Sequence, residues 1–313
     1  IAPVIDIPMP DGSFSKFKIW ETSVMAPGLA AKFPSIKTYA GQGIDDPTAT
    51  IGVTYGQYGF SAMILSSVNG SVFIDPYYLG KKAHYISYKK TDFTKSVKYK
   101  ELTPRHRKDR NLSARPSTPQ DVLAGQPIGA TLRKYRLAVA CTHEYAQAVT
   151  GSTSPSVAEV LEKIVVTVNR VNQVYERDID VRLILVSDNN KIVFTTAASD
   201  PFTGNDDASI LIDESQTQID NRIGTSYYDI GHTFSTGAGG LAGVEVVCYD
   251  PGKAWGVTGS DQPYGDPYDI DYVAHEMGHQ FGADHSFNSS TDACDGNGST
   301  TTNAEPGSGS TIM

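Results

Sequence analysis

The 313 residues can bury a substantial core as one large domain or two ordinary ones, so the chain needs no staples to fold. With 26 Lys and Arg against 35 Asp and Glu, the net charge of -9 excludes the dense basic face that a nucleic-acid partner or an anionic membrane surface requires. Apolar runs such as Leu183 to Val186 are strand-sized, which excludes a helical membrane span.

The chain opens at Ile1 with neither a basic nor a continuous apolar run, so a leader is expected to have been removed and the protein to be secreted. Its Gly- and Tyr-rich, weakly charged composition fits an exported bacterial protein. Short β segments follow at Thr50 to Thr54, Phe60 to Leu65, Ser71 to Ile74 and Ala83 to Tyr88, parted by Gly56, Gly59 and Asn69-Gly70. Residues 1–105 therefore read as a small β-rich domain. From about Leu102 to Gly129 come Pro104, the cluster Arg105, Arg107, Lys108 and Arg110, and then Pro116, Pro119 and Pro127 with few large apolar residues. Residues 106–130 read as a basic, Pro-rich linker open to proteases.

Over residues 131–313 strands alternate with helices. Tyr135 to Cys141 alternates as a strand. Ser156 and Glu159 form a capping box, and Val157, Val160, Leu161, Ile164, Val165, Val168, Val171 and Val174 follow at helical spacing. Ile179 to Val186 and Lys191 to Thr195 read as strands and Asp213 to Ile223 as a helix. This order predicts an α/β (α+β) domain with a mixed, mostly parallel twisted sheet covered by helices. No repeat is visible. Cys141, Cys248 and Cys294 make no close pair, which excludes a thiolate metal site; they are either free buried thiols or include one disulfide, Cys248 with Cys294.

The stretch Ile270 to His285, IDYVAHEMGHQFGADH, carries the chemistry. His275 and His279, four apart on a helix, project from one face close enough to share a cation. Gly282 can take positive φ, ending the helix and returning His285 to the same metal. Three neutral imidazoles leave zinc one position open for water, whose pKa falls from about 16 to about 7. Glu276, beside the first ligand, reaches that water rather than the metal and serves as general base. Three of the seven histidines within this short span are hard to explain by packing, whereas His84, His106, His143 and His232 read as ordinary histidines.

HExxHxxGxxH followed by a methionine turn is the metzincin signature, and the chain resembles the bacterial reprolysin-like (adamalysin-like, M12B) peptidases over about Tyr135 to Met313. The resemblance implies a zinc metalloendopeptidase with Zn²⁺ on His275, His279 and His285, acting as a monomer on polypeptide. Gly309-Ser310-Thr311-Ile312-Met313 resembles the turn, making Met313 the methionine beneath the metal, and the lower wall of the cleft is expected beyond it. The segment Tyr228 to Gly259 resembles the upper edge strand, so Gly239, Gly240, Leu241, Ala242, Gly243 and Val244 would pair with an extended substrate. Ser286 after the third histidine is a matrixin-like departure, while the long separation of Tyr135 from His275 suits reprolysins.

The stretch FKIWETSVMAPGLAAKFPSIKTYAGQGIDDPTAT resembles the propeptide region preceding such catalytic domains, so residues 1–105 are expected to act as the chain's own propeptide, removed at the basic linker. An accessory domain that stays attached is the alternative. Residues 1–133 contain no cysteine, so latency in a zymogen needs an oxygen or nitrogen ligand, for which His106, Asp109 and Asp121 are candidates. Asp206, Asp207, Asp266 and Asp269 offer oxygens for Ca²⁺, or are simply solvated. The competing functional reading is a silent metzincin-like binding protein whose zinc is structural, against which the intact Glu276 counts.

Overall fold

The computed structural model describes residues 2–78, 81–93, 101–102, 104–106, 131–237, 239–291, 294–309 and 311–313. The first part is a seven-stranded antiparallel sheet whose strands pair in chain order: β1 (Val4–Pro8), β2 (Phe14–Thr22), β3 (Lys37–Gly43), β4 (Thr50–Gly56), β5 (Gly59–Ser66), β6 (Gly70–Tyr78) and β7 (Lys81–Lys89). Gly70, at φ 72°, makes the hairpin turn that Asn69-Gly70 predicts. Alternation sets the faces. Ala62, Ile64, Val72 and Ile74 join Ile7, Phe17, Ile19 and Ile51 in a core inside the curled sheet. Met63, Leu65 and Phe73, one residue out of phase, face the rest of the molecule.

The second sheet runs in the order β10 (Val181–Leu185), β9 (Arg133–Cys141), β11 (Ile230–Ser235), β13 (Gly256–Gly259), β12 (Gly240–Val244) and β8 (Arg105–His106). The β12–β13 pairing is antiparallel and the others are parallel. Helices cover both faces. On one side lie α2 (His143–Thr150) and α3 (Val157–Ile179), α3 opening on the Ser156–Glu159 capping box. Its Val160, Leu161, Ile164, Val165 and Val168 pack on Leu137, Val139 and Leu183, each contributing roughly 1.5–3 kcal/mol by burial. On the other side α4 (Ala208–Ile223) sets Ile219 and Ile223 against Ala138 and Ala140.

The predicted strand at Lys191 to Thr195 is not formed: Asn189–Ile192 is a single 3₁₀ turn, and Val193 bridges Cys141. The reason is Asn189, whose side-chain amide accepts from Val139 N at 2.8 Å and donates to Val139 O at 2.9 Å, filling the pairing position of a neighbouring strand. α4 starts at Ala208, earlier than its apolar spacing predicts, because Asp207 caps it through Ser209 N at 2.9 Å.

The two sheets meet through α3. Gly52 and Gly56 of β4 have no Cβ, and a Cβ at either would collide with the side chains of Gln173 and Glu162, so the glycines admit the helix. Glu162 accepts from Gln57 N at 2.7 Å and Tyr58 N at 2.9 Å. Arg170, fully buried, pairs with Asp75 of β6 at 2.7 Å. At the far edge Val24 and Ala26 exchange backbone hydrogen bonds with Leu185 of β10, after which a short helix, α1 (Pro27–Lys32), brings Lys32 onto Asp188 at 2.8 Å.

Candidate metal centre

A π-helix, Pro267–Ala274, runs directly into α5 (His275–Gln280). Several elements hold this pair of turns. Asp269 accepts from Thr167 at 2.6 Å and Arg170 at 2.9 Å, Tyr175 donates to Ala274 O at 2.6 Å, and Lys90 binds Asp266 and Asp271. Below, Gly282 turns at φ 104° with its N–H on His279 O, and the chain comes back through His285. The end of β12 is locked to the same helix, Glu245 N and Val246 N donating to His279 O and Gln280 O at 3.0 and 2.9 Å.

The Nε2 atoms of His275 and His279 stand 3.1 Å apart, those of His279 and His285 3.1 Å, and those of His275 and His285 3.2 Å. Each Nδ1 faces a backbone carbonyl: Ile312 O at 2.6 Å, Ala283 O at 2.7 Å and Asn297 O at 2.5 Å, respectively. A carbonyl can only accept, so each Nδ1 carries the proton and each Nε2 presents a bare lone pair. A fourth acceptor joins them. Glu101 Oε1 lies 2.9, 3.3 and 2.5 Å from the Nε2 atoms of His275, His279 and His285. Four acceptors cannot satisfy one another, whereas one cation among them satisfies all. Imidazole nitrogens about 2.0–2.1 Å from a tetrahedral zinc would be roughly 3.4 Å apart, close to these spacings. The residues fit zinc.

Glu276 is fully buried on the same helix. Met313 sets its sulfur against α5 at Gly278, where a Cβ would meet it at 2.8 Å, and its carbonyl accepts from Ser286 N at 3.1 Å. Gly240 to Val244 form β12, with Gly239 O accepting from Gly259 N at 2.8 Å. Of the candidates for a blocking ligand, His106 pairs through its backbone with Val244, and Asp109 and Asp121 lie outside the described residues. The group at the three imidazoles is instead Glu101, five residues ahead of His106. It is the sole acid between Asp92 and Asp109 in a stretch rich in lysine and arginine, the one signal that could have singled it out.

The oxygens considered for calcium are engaged by the protein. Asp206 accepts from Asn205, Asp207 caps α4, Asp266 binds Lys90, and Asp269 binds Arg170, so a calcium site has no support. The three cysteines are free.

His232, which reads from the sequence as an ordinary histidine, lies wholly buried beneath α5. Gln280 Nε2 donates to Gly231 O at 2.8 Å, so its Oε1 accepts from His232 Nδ1 at 2.9 Å and His232 Nε2 accepts from Thr258 Oγ1 at 2.9 Å. Burial pushes His232 down to about 4 despite the Gln280 bond, which keeps it neutral.

A model of the family described as "Metallo-peptidase family M12B Reprolysin-like" matches residues 131–313. No curated protein matches the chain.

Proposed function

Because the chain belongs to the reprolysin-like M12B metallopeptidase family, we propose that it is a secreted zinc metalloendopeptidase that cleaves extended polypeptide, arranged as a zymogen with residues 1–105 as its own propeptide. The observation that carries this reading is the convergence of three bare imidazole nitrogens, each fixed in its tautomer by a backbone carbonyl. His275, His279 and His285 hold the zinc. When bound, zinc polarises a scissile carbonyl and makes water a nucleophile at neutral pH.

The remaining work falls to the chain. Glu276 takes the proton from the attacking water and returns it to the leaving amine, and its burial shields that transfer from bulk solvent. Gly240 to Val244 offer their outer edge to the substrate backbone, at a distance from His279 fixed by the Glu245 and Val246 hydrogen bonds. Met313 and Ile312 underlie the site, packing on Gly278 and orienting His275.

The test is a zinc-loaded chain with its propeptide removed, assayed on an internally quenched peptide. Glu276→Ala is expected to keep stoichiometric zinc and lose at least about 100-fold in kcat, the scale of general-base catalysis. His279→Ala is expected to lose the zinc itself. Activity unchanged in Glu276→Ala would overturn the assignment of the base, and zinc-free purified protein would overturn the centre.

A further inference from the structure

The outer edge of β12 is already occupied. Glu101 bridges Gly240, Leu102 N donates to Gly240 O at 2.9 Å, and Arg105 and His106 of β8 pair with Gly243 and Val244. We propose that Glu101 is a fourth protein ligand of the centre and that residues 101–102 and 104–106 form a strap that closes it, a reading that rests on the metallopeptidase function above.

Three anchors of different chemistry hold this strap. The Glu101 carboxylate stands within 3.3 Å of all three imidazoles. Leu102 packs on the apolar cluster of Leu211, Ile212, Leu241 and Val257. Arg105 pairs with Asp213 at 2.5 Å and lies over the Trp255 ring at 5.2 Å. Together they fill both places a substrate needs, the hydrogen-bonding edge and the position facing the cation. The strap is not itself consumed, because a side-chain carboxylate has no leaving amine and so offers nothing to hydrolyse. A carboxylate also suits the charge: three neutral imidazoles bring none to a dication, and Glu101 supplies one negative charge. Residues 1–140 contain no cysteine, so the group facing the imidazoles from this part of the chain is a carboxylate and not a thiolate.

The strap is tested in the full chain loaded with cobalt(II), which reports its ligands through visible absorption. Glu276→Ala serves as the background, so that no self-cutting occurs. Acetohydroxamate is the probe, and Glu101→Gln, close to isosteric, is compared with Glu101→Ala. Both variants are expected to change the resting spectrum and to bind acetohydroxamate at least about tenfold more tightly than the chain with Glu101, because the open form no longer competes with a tethered ligand. With Glu276 intact, the same Glu101 variants are expected to cleave the quenched peptide without prior cutting of the chain. Identical spectra and equal acetohydroxamate affinity across Glu101, Gln and Ala overturn the strap, even if cut protein proves to be a peptidase. Altered spectra with no hydrolysis from any form, cut or uncut, uphold Glu101 as a ligand and overturn the peptidase reading instead.

Discussion

His232 holds α5 although it lies outside the motif and 43 positions before His275. Its ring joins β11 to β13 through Thr258 and to α5 through Gln280, so the register of His279 against the sheet depends on a neutral imidazole. The sign of the pH effect follows. The folded ring sits at about 4 and an unfolded one near 6.5, so the unfolded state binds more protons between these values. Stability from this residue is complete above about pH 6.5 and is lost as pH falls toward 4. Between pH 7 and pH 5 the loss is about 2 kcal/mol. Urea unfolding of the chain and of His232→Gln at both pH values should show a shallower pH dependence in the variant; parallel slopes would remove the argument. Histidine spacing could find His275, His279 and His285, but no spacing rule marks His232, since its two ring partners come from two separate elements, β13 and α5.

Among the elements, α3 carries two different faces. Its valine and leucine stripe covers the parallel sheet, as the helical spacing predicts, while Glu162, Asn169, Arg170 and Gln173 meet the antiparallel one. Arg170 links Asp75 of β6 to Asp269 in the π-helix that leads into His275. Removing it leaves two buried or half-buried carboxylates without their cation. Arg170→Leu is therefore expected to cost about 3–5 kcal/mol in urea unfolding, the range for breaking a buried pair from one side. Asp75→Asn combined with Arg170→Leu should recover part of that loss; a single variant as stable as the parent chain would show the network to be dispensable. The sequence could show that α3 is amphipathic, but polar residues on a helix ordinarily face water, and only the antiparallel sheet turns these four into an interface.

Across the whole molecule, the N-terminal third covers both edges of the parallel sheet, Val24 to Ala26 on β10 and Glu101, Leu102, Arg105 and His106 on β12. Open sheet edges invite pairing with other chains, and here the chain satisfies its own. These contacts, with Glu162, Arg170 and Lys90, do not pass through the linker. A cut within residues 107–130 is therefore expected to leave the two parts associated, the tether's effective concentration of about millimolar giving way to a concentration-dependent equilibrium. Size-exclusion chromatography of the cut chain should show co-elution at micromolar concentration, with peptidase activity rising on dilution. Prompt separation of the parts would show that the linker alone held them.

Local order was legible because it is written in local chemistry. The His275–His279 spacing, the Gly282 bend, the Ser156–Glu159 cap and the strand alternation each depend on residues within a few positions of one another. The strand expected at Lys191 failed because Asn189 reaches across to Val139, and Glu101 was missed because its meaning depends on residues more than 170 positions away. Sequence alone determined which imidazoles could share a cation. Tertiary structure alone decided what faces them, since a carboxylate gains that place only when two sheets, docked through α3, carry its strand to the open edge of β12.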